Sequence, residues 1–113
     1  LDRTWSGKLN PTAKMVKHIV LWTFRGDRVD KMENLRMAKQ LLEGLKGKVP
    51  GIVRMEVGIN LNPAPEAYDL ALYSEFESLE ALEGYQAHPE HRTAVDFLRK
   101  VRDRRAVVDY LCG

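Results

Sequence analysis

The nine residues VKHIVLWTF, Val16 to Phe24, limit what this chain can become more than any other stretch. They are dense in β-branched and aromatic side chains, which fit a pleated, packed surface. Alternation puts His18, Val20, Trp22 and Phe24 on one side and Lys17, Ile19, Leu21 and Thr23 on the other, so both sides are largely apolar. Such a strand belongs in the middle of a sheet, covered on both faces. With 113 residues the chain has room for one such sheet and its covering elements, and none for a second domain.

The remaining patterns supply the partners of that strand. Asp30 and Glu33 have the spacing of a capping box, and Met32, Leu35, Ala38, Leu41, Leu42 and Leu45 follow at helical intervals that end near Gly47. A turn at Pro50-Gly51 leads into a strand over about Val53 to Ile59, then a loop, NLNPAPEA. YDLALYSEF is a third strand, with Leu70, Leu72, Ser74 and Phe76 on one face and Asp69, Ala71, Tyr73 and Glu75 on the other. Ser78 is placed to cap a short helix bearing Leu79, Ala81, Leu82 and Tyr85, and Pro89 suits the first turn of the next, whose stripe is Ala94, Val95, Phe97, Leu98 and Val101. RAVVDY, Arg105 to Tyr110, is the last strand.

The order βαββαβ predicts an α+β chain with an antiparallel, ferredoxin-like sheet. Helices cover one face of such a sheet. The other is expected to carry Val20, Trp22 and Phe24 with Leu70 and Leu72, an apolar surface that a second sheet would bury, so a homodimer is expected. Residues 1–14 are polar and contain Gly and Pro; they read as an appended arm, with the domain occupying residues 15–113.

Composition removes several classes of function. Net charge is only +2, and the densest basic stretch, RKVRDRR from Arg99 to Arg105, has no interleaved aromatics, so it reads as a solvated helix face and not a nucleic-acid surface. No run approaches the roughly 20 apolar residues of a membrane span. A single cysteine, Cys112, forms no internal disulfide and suits a reducing, cytoplasmic setting. Neither a Gly-rich phosphate loop nor a Gly-x-Ser-x-Gly elbow occurs, so no cofactor is expected and nucleophilic hydrolysis is not indicated.

Chemistry concentrates in YQAHPEHRTAV, Tyr85 to Val95. His91 precedes Ala94, Val95 and Leu98 by three, four and seven residues and so lies along the apolar stripe; Tyr85 follows Ala81 and Leu82 in the same way. His18 adds a third polar tip from the first strand. Three polar tips in apolar surroundings describe either a ligand cavity or a core whose donors are satisfied locally. His88, at the elbow, reads as a turn or cap residue. Pro89 interrupts His88-x-x-His91, and His-Glu-x-x-His is absent, so no metal is expected.

Taken in order, VKHIVLWTF, VPGIVRMEVGIN, YDLALYSEFESLEAL, YQAHPEH and VVDY resemble the stress-responsive dimeric α/β-barrel (Dabb) domain over about Val16 to Tyr110. The resemblance implies a ferredoxin-like protomer that pairs with a second to close a dimeric barrel. It also implies a candidate chemistry, because the family includes plant polyketide cyclases that close a poly-β-keto chain by a cofactor-free aldol reaction. Their Tyr-x-x-His-Pro-x-His motif corresponds to Tyr85 and His91 as the catalytic pair, with His18, Val20, Trp22, Leu70 and Leu72 around a small-molecule substrate. An imidazole can take a proton α to a carbonyl at neutral pH while a phenol donates to the enolate oxygen. Trp22 departs from that picture, since its indole would fill part of the cavity. The alternative is a non-enzymatic stability or assembly module whose barrel is filled by its own side chains; a monooxygenase on the same dimeric scaffold, acting without metal, is a third reading.

Overall fold

A computed structural model describes residues 15–112. The predicted arm, residues 1–14, lies outside the described residues. Strand β1 (Val16–Phe24) is followed by helix α1 (Arg28–Glu43), a 3-10 turn (Gly44–Gly47), β2 (Ile52–Ile59), β3 (Leu70–Phe76), α2 (Leu79–Ala87), α3 (Pro89–Val101) and β4 (Arg102–Leu111). The strands form one antiparallel sheet in the order β2-β3-β1-β4, which is the ferredoxin-like arrangement expected from the pattern. Strand β1 is internal, as its doubly apolar sequence requires. Among the described residues no helix is long and apolar enough to cross a membrane.

Local chemistry explains the element ends. Helix α1 starts three residues earlier than the Asp30-Glu33 spacing suggests, because Asp27 accepts from the backbone N–H groups of Val29 and Asp30 at 3.1 and 3.0 Å. Gly26 permits that start with a φ of 104°. Ser78 caps α2 as expected, its Oγ accepting from the Ala81 N–H at 3.0 Å. His88 caps α3 through Nδ1, which accepts from the Glu90 N–H at 3.0 Å, and Pro89 occupies the first turn.

Two expectations are corrected here. The face of the sheet bearing Val20, Trp22, Phe24, Leu70 and Leu72 is the one the helices cover, and not the one left for a second sheet: these residues are buried together with Leu35, Ala38 and Leu42 of α1, Leu82 and Tyr85 of α2, and Leu98 of α3. The open face instead carries Ile19, Leu21, Ala71 and Tyr73, half-buried, with Lys17 and Arg54 each resting over the Tyr73 ring. In addition, the stretch Arg102 to Arg104 is strand and not a solvated helix face, so the last strand starts three residues before Arg105. The chain passes from α3 to β4 without a loop, and the Arg25 N–H donates to the Val101 carbonyl at the junction, 2.8 Å away.

Gly51 marks a close approach between the start of β2 and helix α2. Its φ is 89°, and a Cβ placed there would lie 2.7 Å from the Cβ of Ala81 on α2. Gly51→Ala therefore combines left-handed strain, about 1–3 kcal/mol, with overpacking of about 1–3 kcal/mol against a helix. Urea unfolding should register a loss of roughly 2–5 kcal/mol; a variant as stable as the parent would mean that α2 is free to shift.

Candidate functional site

The sheet and helices do not close against each other everywhere. Between β1, β3 and the helices α1, α2 and α3 lies a groove of about 610 Å³ whose apolar wall includes Val20, Trp22, Leu42, Leu72 and Leu98. Among the described residues no helix covers β4, whose residues are largely exposed, and the groove opens on that side. The indole of Trp22 stands in the wall and leaves the space unfilled. The void therefore belongs to a single protomer, between its sheet and its own helices.

The sequence-predicted polar residues converge on this groove from three elements. His18 comes from β1, Tyr85 from α2 and His91 from the first turn of α3, and all three line it. Their rings form a cluster with Phe76: Tyr85 lies 4.3 Å from His91, 4.9 Å from Phe76 and 6.2 Å from His18, centroid to centroid. Val20, Trp22 and Leu72 also reach the groove. Leu70 does not. It is buried in the core opposite Trp22 in the β1–β3 register, and at that level the indole, one strand nearer the opening, makes the wall.

Each polar ring is held differently. His18 sits opposite Asp109 in the β1–β4 register, and its Nδ1 donates to Asp109 Oδ1 at 2.5 Å. The imidazole is almost wholly buried, 3% exposed, and β1 is pinned beside it by the Ser74 hydroxyl, which donates to the His18 carbonyl at 2.7 Å. His91 is half-buried, and its Nδ1 donates to the Gln86 carbonyl at 3.2 Å. Because a carbonyl can only accept, this contact puts the proton on Nδ1 and leaves Nε2 with its lone pair. Burial, aided by nearby positive charge, lowers the His91 pKa below its ordinary 6.5, so the ring is neutral at pH 7.

Tyr85 is the anomaly. It is 1% exposed, and its hydroxyl has no hydrogen-bond partner among the described residues. Burial raises its phenol well above the ordinary value of 10, so it remains protonated as a donor. Among the described residues, no group of three or more His, Cys, Asp or Glu side chains is placed to hold a metal ion.

Sequence reasoning missed the charged part of the lining. Arg92, Asp96 and Arg99 project from α3 into the groove, and Arg102 and Arg105 from β4. The α3 set follows positions 92, 96 and 99, beside the His91, Val95 and Leu98 stripe, and helical spacing could have found it. The β4 pair was not legible in that way. Residues three apart on a regular strand face opposite sides, but the pairing shifts between Trp22, opposite Arg105, and Phe24, opposite Arg102. That irregularity brings both side chains to the groove.

Comparison with known proteins agrees with this architecture. The family model of the stress responsive A/B barrel domain (Dabb) matches residues 16–112. An uncharacterized protein of Streptomyces coelicolor is 30% identical over 87 residues, covering 76% of this chain and 89% of its own. A dimeric protein of unknown function and ferredoxin-like fold from Bacteroides fragilis has a TM-score of 0.80 and 41% identity, over 87% of this chain and 96% of that one. Hydroxynitrile lyase from Passiflora edulis has a TM-score of 0.76 at 15% identity, over 88% and 94% of the two chains, a likeness of fold alone.

Proposed function

The chain belongs to the stress responsive A/B barrel domain family, and on that premise we propose that its groove binds a small carbonyl compound and moves protons on it without a cofactor. His91 is the base and Tyr85 the acid. The observation that carries this reading is the buried Tyr85 hydroxyl without a partner. Such a group costs about 1–3 kcal/mol relative to a satisfied one, and phenylalanine would fill the same space without that cost. A residue present only for packing has no need of the oxygen.

The chemistry follows from the two protonation states. Nε2 of neutral His91 takes a proton from the carbon α to the carbonyl; the C–H electron pair becomes the enolate C=C bond, and the carbonyl π pair moves to oxygen. Tyr85 donates to that oxygen as charge develops. When the ligand holds a second carbonyl, the enolate carbon can attack it and close a ring, as in an intramolecular aldol reaction. Val20, Trp22 and Leu72 supply the apolar wall, and Asp109 holds the His18 ring in place beside the pair. The phenol lies against the His91 ring and is closed to solvent, so binding requires that ring, on an exposed first turn, to give way.

The test is α-proton exchange. In D2O, 2-octanone incubated with the protein should take up deuterium beside its carbonyl faster than in an equal concentration of free imidazole, read by NMR. Exchange no faster than with imidazole, and no movement of the His91 resonances on adding the ketone, would remove the reading.

A homodimer follows from the same premise. Val107, Val108, Tyr110 and Leu111 of the edge strand β4 are exposed on both faces, Val108 to 52%, and an apolar edge of that length is a surface that folded chains cover. The dimeric relative from Bacteroides fragilis supports it. Light scattering should give twice the chain mass at micromolar concentration, and Val108→Lys should shift the protein toward monomer. A parent protein that stays monomeric there would overturn the assignment.

A further inference from the structure

The groove's charge is lopsided. Arg92, Arg99, Arg102 and Arg105 line it against one carboxylate, Asp96. Among the described residues none of these four guanidiniums is ion-paired with a carboxylate, so each is free to meet an anion. Four like charges gathered at one opening repel one another. The β4 irregularity brings two of them to it, and re-aiming side chains beside a site is a recurrent use of such bulges.

Arginine presents a planar fork of donors that matches an oxyanion, and a guanidinium beside an apolar wall is more weakly screened than one in bulk water. Asp96 stands on the same helix between Arg92 and Arg99, and a single carboxylate leaves the lining with a net positive charge. Arg105 also acts on both His91 and Tyr85 through its charge, so the cationic rim and the reacting pair form one site. On the proposed function, the Tyr85 hydroxyl behind the His91 ring meets the carbonyl end of the ligand, which leaves the arginines to the other end.

We infer that the ligand is an acidic carbonyl compound, with an oxyanion, carboxylate or phosphate, held by Arg102 and Arg105 at the opening while its apolar chain and carbonyl lie inside. This rests on the proposed function of the groove and names the class of molecule it takes. An uncharged ketone would leave the four guanidiniums without the anion their arrangement fits.

Binding of three probes to the full chain separates the possibilities: 4-oxooctanoate, its methyl ester and octyl phosphate, followed by calorimetry and by NMR of the His91 ring. The acid should bind at least about tenfold more tightly than the ester, as charge-assisted bonds of this kind allow. That advantage should fall with added salt and collapse in Arg102→Gln/Arg105→Gln, whose exposed or half-exposed positions make misfolding easy to exclude by circular dichroism. Tighter binding of octyl phosphate than of the acid would assign the oxyanion to phosphate. Equal affinity for acid and ester, with His91 shifts for both, would overturn the inference and leave the proposed function standing. No binding of any probe would overturn both.

Discussion

Tyr85→Phe should reduce α-proton exchange about 10²–10⁴-fold, the span over which a positioned acid or base acts, while leaving the protein at least as stable as before. The two halves of that result depend on one atom. The ring is clamped between Phe76 and His91, at 4.9 and 4.3 Å, and phenylalanine keeps these contacts. The hydroxyl has no partner among the described residues, so its removal leaves no other group unsatisfied. Relief of a buried, unpaired O–H should leave the variant at least as stable as the parent in urea, and up to about 1–3 kcal/mol more stable. A tyrosine with a structural purpose behaves in the opposite way. If the variant lost about 1 kcal/mol or more and exchange were unaffected, the phenol would be an anchor and the groove would have no acid.

That contrast bears on the non-enzymatic alternative, in which the interior is filled by its own side chains. A groove of about 610 Å³ beside Tyr85 and His91 in the single protomer speaks for a cavity over a filled interior. It would also be expected to satisfy the donor it buries, because a polar group in an apolar core without a partner is destabilising. The alternative would regain ground only if the phenol found a local acceptor in solution, and the stability of Tyr85→Phe measures that directly.

Element order and the polar tips were legible in the chain because they rest on local rules. Alternation sorted β1 and β3 into their two faces, Ser78 and Pro89 marked the helix starts, and the spacing of His91 from Ala94 and Leu98 put it on an inward stripe. Alternation has no means of ranking two faces that are both apolar, however. Ile19 and Leu21 look as suited to a core as Val20 and Trp22, and only packing against Leu42, Tyr85 and Leu98 decides which side the helices take. The apolar face expected to meet a second sheet consequently lies under the protomer's own helices, and the groove lies within one protomer. Val101 passes into Arg102 with no glycine or proline to announce the change from helix to strand, so the sequence pattern starts β4 at Arg105, three residues late. The β4 half of the arginine rim, Arg102 and Arg105, depends on a pairing irregularity that no single-strand pattern contains, whereas Arg92 and Arg99 follow from helical spacing.

His91 should give the groove a pH dependence with a single limb. Burial holds the imidazole below its ordinary 6.5, with the charge of Arg105 acting in the same direction, and the donor bond to the Gln86 carbonyl opposes them only in part. The base is the neutral form, so exchange should rise with pH through a midpoint below 6.5 and then level off. No alkaline fall should follow near pH 10, because burial keeps the Tyr85 phenol protonated beyond its ordinary range. Folding stability carries the same signature. The unfolded chain binds a proton at His91 near 6.5 while the folded chain resists it until lower pH, so between those values the unfolded state holds more protons and stability falls as the solution is acidified. His91→Gln removes both effects: exchange should drop by about 10²–10⁴-fold, and stability should decline less between pH 7 and pH 5 than in the parent. The substituted amide would retain a donor for the Gln86 carbonyl, so the loss would belong to the base and not to the bond. An exchange rate in His91→Gln that still rose through the same midpoint would transfer the role of base to His18, whose Nδ1 is already committed to Asp109.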